Sequence, residues 1–262
     1  MILEHETMKF QYASDLHLEF PENREFIEAN PLEPAADILI LAGDIIPLVL
    51  MDEVGWFFEY ITRRWKQVFW VPGNHEYYGY DLSALESSGM IESLIGKNIL
   101  QINNRVEIMD DCRLIFSTLW SHISPRNEIH IHEKLSDFRE IRNGSELLDV
   151  AKYNQLHEQS VRMLQIFLKI PFEGKTVVVT HHLPTLKNYP VRYKSDPLNE
   201  IFATELSDLI LEYQPDAWIF GHHHHNVPEF RIGGTRMLTN QLGRVEDGEA
   251  ANGFYRSKSM TL

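Results

Sequence analysis

The sequence is poor in cysteine and has no long hydrophobic run. Cys112 is the single cysteine in 262 residues, which excludes an internal disulfide and is typical of a reducing compartment. No apolar stretch reaches the length of a membrane span, and the first residues lack the basic and then apolar pattern of a secretory signal. Internal repeats and low-complexity tracts are also missing. We therefore expect a cytoplasmic protein with no membrane partner.

Positive charge is also scarce. The chain has 24 Lys and Arg against 38 Asp and Glu, a net charge of −14. Such a balance argues against polymeric nucleic acid and anionic membranes as partners, because phosphate contacts need Lys and Arg. A small phosphate ester stays possible if the binding site itself is positive. The simpler interpretation is that the acidic surface only keeps the protein in solution.

Apolar runs alternate with amphipathic stretches along the chain. Strands are predicted at 10–13, 38–42, 68–71, 112–119, 177–180, 217–220, 228–232 and 235–239. Helices are predicted at 54–66, 150–169 and 203–213. The alternation indicates an α/β fold. We expect a single domain over residues 1–262, with residues 1–7 as a short extension and the polar stretch 121–149 as a loop or a lid over the site.

Five of the predicted strands run directly into polar side chains that could bind a metal. These side chains are Asp15, His17, Asp44, Asn74, His75, His181, His222 and His224. The carboxyl ends of strands are where α/β proteins bind ligands. Carboxylate, imidazole and amide ligands together suit Mn, Fe or Zn. For any one of these residues alone, capping a strand or turn is the simpler interpretation, but together they predict a metal site.

The number of donors exceeds what one ion takes. Setting His75 aside, seven donors remain, and a bridging Asp44 would give each of two metals four of them. Two cations against two carboxylates would leave a positive site that favours a phosphate. His75 is set aside because adjacent side chains at a turn diverge, so that Asn74 as a ligand leaves His75 free.

The order of these groups resembles the calcineurin-like metallophosphoesterases. The five segments that carry the resemblance are Asp15-x-His17, Gly43-Asp44, Gly73-Asn74-His75-Glu76, Thr180-His181-His182 and Gly221-His222-His223-His224. The resemblance implies a four-layer sandwich of two mixed β-sheets flanked by helices, with a di-metal centre at the strand ends. The sequence departs from the usual pattern of this family at His223, where a small residue is common, and at Gln241, where Pro often follows Asn.

The resemblance also implies a role for each residue. Asp15, His17 and His224 would hold one metal, and Asn74, His181 and His222 the other. Asp44 would bridge the two ions, which could be Mn, Fe or Zn, and His75 would contact the phosphoryl group and protonate the leaving oxygen. The implied function is hydrolysis of a phosphodiester or a small phosphorylated metabolite by a metal-bridging hydroxide.

Other interpretations remain open at this point. The chain could be a protein phosphatase with the same chemistry, or a metal-binding scaffold without activity. Further polar residues have no assigned part in the centre. If residues 222–225 are extended, His223 and His225 face away from the metals and are solvated or support a ligand. His182 would face the substrate or support a ligand, Glu76 would orient a neighbour, and Arg139 and Arg142 could clamp a phosphate.

Overall fold

A computed structural model describes residues 8–83, 92–95, 97–190 and 196–262, with residues 92–95 described by their backbone only. The predicted extension at residues 1–7 lies outside the described residues. The described chain contains two six-stranded sheets and a two-stranded ribbon.

The first sheet has four parallel strands at its centre and an antiparallel strand at each edge. Its strands are β1 (Lys9–Ala13), β2 (Ile38–Ala42), β3 (Gln67–Val71), β4 (Glu92–Ile95), β5 (Ile99–Ile102) and β14 (Ser259–Thr261). They lie in the order β14-β1-β2-β3-β5-β4. The four central strands are parallel, whereas β14 and β4 run antiparallel to their neighbours.

The second sheet repeats this arrangement. Its strands are β6 (Arg105–Met109), β7 (Cys112–Ser117), β10 (Lys175–Thr180), β11 (Ala217–Ile219), β12 (Phe230–Ile232) and β13 (Thr235–Leu238). They lie in the order β12-β13-β11-β10-β7-β6, with antiparallel strands at both edges. The ribbon pairs β8 (Arg142–Asn143) with β9 (Glu146–Leu147).

Helices cover the outer faces of the sheets. Within the described residues they are α1 (Pro21–Ala29), α2 (Gly55–Arg64), α3 (Glu128–Lys134), α4 (Asp137–Glu140), α5 (Val150–Lys169), α6 (Asn199–Phe202) and α7 (Ser207–Tyr213). Short 3-10 helices occur at Leu48–Val54, His75–Tyr77 and Glu249–Ala251. None of the helices in the described part of the chain is both long and apolar enough to traverse a lipid bilayer.

The two faces of β2 show how the layers form. Ile38, Ile40 and Ala42 pack between the two sheets, while Leu39 and Leu41 pack outward against α1 and α2. Successive strand side chains point to opposite faces, so a strand covered on both sides reads as a continuous apolar run. A matching outer core joins the second sheet to α5 and α7. The predicted four-layer sandwich of two mixed sheets is confirmed.

Some predicted elements need correction. The helix at 150–169 is confirmed with the same bounds as α5, but the helix predicted at 203–213 begins only at Ser207. The preceding segment is extended because Ala203 pairs with Leu183, and the amide of Thr204 donates to the carbonyl of Leu183. Neither α1 nor the strands β5 and β6 were predicted.

The polar stretch 121–149 is a folded segment that packs beside the strand ends. It contains α3, α4 and the β8–β9 ribbon, and its apolar side chains Ile131, Phe138 and Ile141 are buried with Tyr77 and Tyr153. This packing brings α4 next to the turn that follows β3, where two of the candidate site residues lie.

Candidate metal centre

The predicted ligands of both sheets meet at the carboxyl ends of the strands. The amide of His222 donates to Oδ1 and Oδ2 of Asp15 at 2.9 and 3.1 Å, which ties the end of β11 to the end of β1. Nδ1 of His181 lies 2.9 Å from the carbonyl oxygen of Ala42, which ties β10 to β2. The seven predicted ligands therefore lie in one place, where they form two adjoining pockets.

The first pocket consists of Asp15, His17, Asp44 and His224, whose possible ligand atoms all lie within 4.8 Å of one another. Nε2 of His17 and Nε2 of His224 are 2.8 Å apart. Oδ1 of Asp15 is 3.6 Å from Nε2 of His224, and Oδ2 of Asp44 is 3.7 Å from Nε2 of His17. Two imidazole nitrogens and two carboxylates thus face a common point.

Carboxylates outside the first pocket decide which imidazole nitrogens carry protons. Nδ1 of His17 lies 2.9 Å from Oε1 of Glu19, and Nδ1 of His224 lies 2.8 Å from Oε2 of Glu249. A carboxylate only accepts hydrogen bonds, so each Nδ1 donates its proton outward. Each Nε2 in the neutral ring then directs a lone pair into the pocket, as in histidines that bind metals.

The second pocket consists of Asp44, Asn74, His181 and His222. Nε2 of His181 lies 3.0 Å from Nδ1 of His222, 3.2 Å from Oδ1 of Asn74 and 3.3 Å from Oδ2 of Asp44. Oδ2 of Asp44 also faces the first pocket, so the same oxygen lies between the two groups. This position matches the bridging role expected for Asp44.

Backbone carbonyls orient the histidines of the second pocket. Nδ1 of His181 donates to the carbonyl of Ala42 at 2.9 Å, and Nε2 of His222 donates to the carbonyl of Ile201 at 3.0 Å. The side-chain amide of Asn74 donates to Oδ1 of Asp137 at 2.9 Å, so its oxygen turns inward. Three lone pairs therefore converge on one point.

The inward-facing lone pairs of the two pockets are suited to binding cations. Facing lone pairs repel one another in a buried site unless a proton or a metal ion lies between them. Imidazole, carboxylate and amide oxygen are ligands for Mn, Fe or Zn, and the deep burial of all but His224 keeps the arrangement rigid. The residues present thus fit two metal ions.

The backbone at these residues adopts a conformation that non-glycine residues rarely take. Five of the seven predicted ligands have a positive φ, between 46° and 81°: Asp15, His17, Asp44, His222 and His224. Left-handed backbone at a non-glycine residue costs about 1–3 kcal/mol and is concentrated at functional sites. This strain is a signal independent of the side-chain chemistry.

Glycines beside the ligands allow the strands to approach closely. A Cβ atom at Gly43 would collide with the ring of His181, and one at Gly73 would collide with Oδ1 of Asp44 and with His181. Gly43 also has a φ of 89°, which only glycine adopts without strain. The glycines of the Gly-Asp and Gly-Asn segments therefore leave room for the second pocket.

His75 lies beside the metal ligands. Its Nδ1 is 2.8 Å from Oε1 of Glu19, the oxygen that also accepts from His17, and its ring stacks on Tyr78 with centroids 4.2 Å apart. The amide of His75 donates to Oδ1 of Asp44 at 3.0 Å. Asn74 therefore turns into the second pocket, whereas His75 lies with His17 and Glu19 in a separate set of side chains close enough together to hold a cation.

Charges in the metal-free centre shift several pKa values. Burial lowers the pKa of His75, but the carboxylates of Asp44 and Glu19 outweigh burial and raise it to about 9. Burial also lowers the pKa of His181, and Asp44 again outweighs it and raises the value to about 9. Burial raises the pKa of Glu19, yet His17 and His75 bring it down to about 2. Protonated imidazoles thus supply positive charge when metal is absent.

Glu76 organises the turn on which the centre is built. Its carboxylate accepts the backbone amides of Asp44, Ile45 and Gly73 at 2.6–2.9 Å and the indole N–H of Trp70 at 3.1 Å. Burial and the nearby Asp44 raise its pKa to about 7, whereas four donors favour the ionised form. We favour the carboxylate form because every contact is a donor to it. Glu76 thus orients its neighbours, as expected.

His182 supports a ligand from inside the protein. Its ring packs against His222 with centroids 4.0 Å apart, and its Nδ1 lies 3.2 Å from the carbonyl oxygen of Thr118. Burial and the adjacent His181 hold the pKa of His182 well below its ordinary value. His182 is therefore a neutral ring that fixes the orientation of His222.

Residues 222–225 do not follow an extended path, so the alternation considered for them does not apply. His222 and His224 have φ values of 81° and 51°, because the chain must curl to direct them into different pockets. His223 is half-buried, its ring stacks on Tyr189 with centroids 5.6 Å apart, and Nε2 of Gln241 donates to its Nδ1 at 3.0 Å.

Neither arginine of the polar stretch reaches the metal centre. Arg139 and Arg142 are exposed. Arg139 donates to the carbonyl of Glu133, and Arg142 donates to the carbonyl of Ser145.

Sequence reasoning missed four residues that contact the centre: Glu19, Tyr78, Asp137 and Glu249. A signal existed for Glu19 only in its place two residues after the candidate ligand His17, because the chain turns at His17 and does not continue as a strand. Asp137 and Glu249 gave no local signal, because their partners are distant in the sequence and only folding brings them to Asn74 and His224.

Two cavities border the metal centre and share Leu198, Phe202, His222 and His224. The first, which we call the tyrosine cavity, has a volume of about 400 Å³ and is lined by Tyr189, Pro190, Asp196, His223 and Glu249 in addition to the shared residues. The second, which we call the His75 cavity, has a volume of about 250 Å³ and is also lined by Asp44, Asn74, His75, Tyr78, Lys134, Leu135, Ser136 and Ile201. Both are of a size that holds part of a small molecule.

Comparisons with known proteins agree with this geometry. A model of the calcineurin-like phosphoesterase family matches residues 8–226. An uncharacterized protein of Acanthamoeba polyphaga mimivirus is 30% identical over 257 residues, which cover 89% of this chain and 90% of that protein. The acyl-carrier-protein phosphodiesterase PptH of Mycobacterium tuberculosis is 40% identical over 63 residues, which cover 24% of this chain and 19% of that protein.

A solved structure shows the same fold. The crystal structure of phosphopantetheinyl hydrolase (PptH) from Mycobacterium tuberculosis superposes with a TM-score of 0.70 at 16% identity, and the match covers 98% of this chain and 96% of that chain. At this level of identity the likeness concerns the fold alone.

Proposed function

This chain belongs to the calcineurin-like phosphoesterase family, and on that premise we propose that it is a di-metal hydrolase of a phosphodiester or a small phosphorylated metabolite. The observation that carries the proposal is the shared position of Oδ2 of Asp44, 3.7 Å from a ligand nitrogen of the first pocket and 3.3 Å from one of the second. A carboxylate placed between two sets of ligand atoms can offset the repulsion between two cations bound side by side.

In this proposal, Asp15, His17 and His224 would hold one metal, Asn74, His181 and His222 would hold the other, and Asp44 would serve both. The bound ions, which could be Mn, Fe or Zn, would neutralise the phosphoryl charge and lower the pKa of a coordinated water. The protein contributes the rigid placement of the ligands, through Glu19 and Glu249 for the first pocket and through backbone carbonyls for the second.

His75 supplies the proton for the leaving oxygen. With Nδ1 bonded to Glu19, a protonated His75 presents its Nε2–H on the side that lines the His75 cavity. As the phosphorus–oxygen bond breaks, Nε2 donates this proton to the departing oxygen. Stacking on Tyr78 keeps the ring in place. Bound metals would lower the pKa of His75 from its metal-free value toward the range in which it transfers a proton readily.

The substrate is a small phosphate ester in this proposal. The net charge of −14 disfavours polymeric nucleic acid, and the short match to PptH, which is named a phosphodiesterase, supports a diester. Reconstitution of the purified protein with Mn, Fe or Zn, followed by assay of a panel of phosphate mono- and diesters, tests the proposal.

Two variants make the assay decisive. His75→Ala should keep both metals and lose turnover by about 10²–10⁴-fold, whereas Asp44→Asn should lose metal. Metal retention by the wild-type protein without hydrolysis of any ester would favour the scaffold alternative, and activity on phosphoproteins alone would favour the protein phosphatase. Loss of a metal ion in His75→Ala would show that the roles are assigned wrongly.

A further inference from the structure

The tyrosine cavity adjoins the metal centre but is not lined by the group that protonates the leaving oxygen in the proposed hydrolysis. Its lining includes His222 and His224 but not His75, which lines the other cavity. A phosphate held at the centre therefore has space for a substituent in each of two cavities. A monoester would fill only one of them.

We propose that the tyrosine cavity binds the second ester substituent of a phosphodiester, an uncharged aromatic or otherwise apolar group that stays on the phosphate after hydrolysis. This inference rests on the proposed function and narrows it to diesters. The substituent in the His75 cavity is then the one that leaves.

The rings of the tyrosine cavity are fixed before a ligand binds. His223 and Tyr189 stack with an angle of 21° between their planes, and the hydrogen bond from Gln241 prevents rotation of His223. Tyr189 is 5% exposed. Phe202 adds a third ring, 5.3 Å from that of His222. A preformed wall of flat rings favours a flat or apolar group, because little side-chain entropy is lost on binding.

The charges of the lining residues that the structure describes disfavour an anionic substituent. Asp196 and Glu249 contribute carboxylates to the lining, and no Lys or Arg lies among the lining residues that the structure describes. A second phosphate or a carboxylate on this substituent would meet like charge. The described lining of the His75 cavity differs in that it holds Lys134 as well as the carboxylate of Asp44.

The position of His75 decides which bond breaks. An oxygen from water forms a new bond to phosphorus, and the bond from phosphorus to the oxygen of the group in the His75 cavity breaks. That oxygen receives the proton of His75, and the proton lost by water leaves to solvent. The products are an alcohol and a phosphomonoester that carries the apolar substituent.

Two diesters with the same leaving group test the proposal. In methyl para-nitrophenyl phosphate and phenyl para-nitrophenyl phosphate, nitrophenolate leaves in both cases and only the retained substituent changes. For the metal-loaded protein we expect kcat/KM to be about tenfold higher for the phenyl ester, as a ring contact of this kind supplies. Tyr189→Ala should lower kcat/KM for the phenyl ester more than for the methyl ester and so remove this preference, and the exposed Tyr255→Ala serves as the matched control.

Charge gives a second test. A carboxylate added to the retained phenyl ring should lower kcat/KM, and Asp196→Asn should recover part of that loss. Equal kcat/KM for the methyl and phenyl esters, or an equal loss for both in Tyr189→Ala, would overturn the proposal.

Binding separates this inference from the proposed function. Calorimetry with phenyl phosphate and methyl phosphate needs no turnover, and we expect the phenyl ester to bind about tenfold more tightly to the wild type and equally to Tyr189→Ala. If this preference is present but no ester is hydrolysed, the cavity assignment stands and the proposed function fails. If esters are hydrolysed without the preference, the proposed function stands and the cavity assignment fails.

Discussion

The two halves of the metal centre use the same kind of ligand but hold it differently. In the first pocket, His17 and His224 donate to the carboxylates of Glu19 and Glu249. In the second pocket, His181 and His222 donate to the carbonyls of Ala42 and Ile201. Both histidines of the first pocket therefore have a carboxylate behind them, whereas neither histidine of the second pocket does, and there the carboxylate of Asp137 lies behind Asn74.

This difference shows how one fold can give the histidines of two metal sites a different basicity and a different support. A carboxylate behind an imidazole makes the ring more basic and stabilises positive charge, whereas a carbonyl mainly fixes its orientation. We expect the first pocket to depend on side chains that can be substituted one at a time. The histidines of the second pocket depend on backbone carbonyls and on their depth, since His181 is fully buried whereas His224 is half-buried.

The largest effect should come from the residue that both pockets share. Asp44→Asn removes the negative charge between two cations, so both pockets should lose metal and turnover should fall by roughly 10³-fold. Metal content by mass spectrometry and assay on the same samples measure this. A variant that keeps one full metal site would show that Asp44 serves only one pocket.

Glu249→Gln should weaken the first pocket alone. The carboxamide no longer stabilises positive charge on His224, and metal affinity should fall by about 10–100-fold. Competition with a chelator measures the two affinities separately, and the exposed Glu246→Gln is the matched control. An equal loss at both pockets would break the proposed distinction.

The pH dependence of metal uptake should sharpen the comparison. The pKa of His181 is raised to about 9 in the metal-free protein, so a metal entering the second pocket must displace its proton at neutral pH. Affinity should therefore increase with pH and level off above about pH 9. His222 has a pKa well below its ordinary value and should release no proton. Proton release measured in weakly buffered solution checks this, and an affinity that does not change between about pH 6 and 9 would contradict it.

The smallest effect should come from Asp137, which acts on the second pocket through Asn74. Asp137→Ala removes the acceptor for the amide of Asn74 and for the hydroxyl of Tyr78, and we expect about a tenfold loss of metal affinity in the second pocket. Arg139→Ala, two residues away and exposed, should behave as wild type. Unchanged affinity in Asp137→Ala would show that Asn74 is held by its backbone alone.

Much of the fold could be predicted because its strands are covered on both faces. Short continuous apolar runs such as 38–42 and 68–71 are typical of strands buried on both faces. The polar residues that follow these runs could then be identified as lying at the strand ends. The helix α5 was predicted to its exact bounds because its apolar face repeats regularly. The structure adds that the side chain of Asp149 accepts the amide of Lys152 and caps the start of the helix.

The remaining features depend on contacts between distant residues. The extended segment before Ser207 forms because Ala203 and Thr204 pair with Leu183, which no local pattern shows. The left-handed turns at His222 and His224 likewise arise from the geometry of two pockets. Glu249 reaches His224 from a part of the chain with no recognisable motif, so its role emerges only from the structure.

The measurement that tests the central claim most directly is a metal titration of the metal-free protein, with hydrolysis of a phosphate diester recorded at each step. Two ions per chain should bind, and turnover should appear only as the second one fills its pocket. His75→Ala should bind the same two ions and remain inactive. Full turnover with one ion per chain, or with none, would contradict the account.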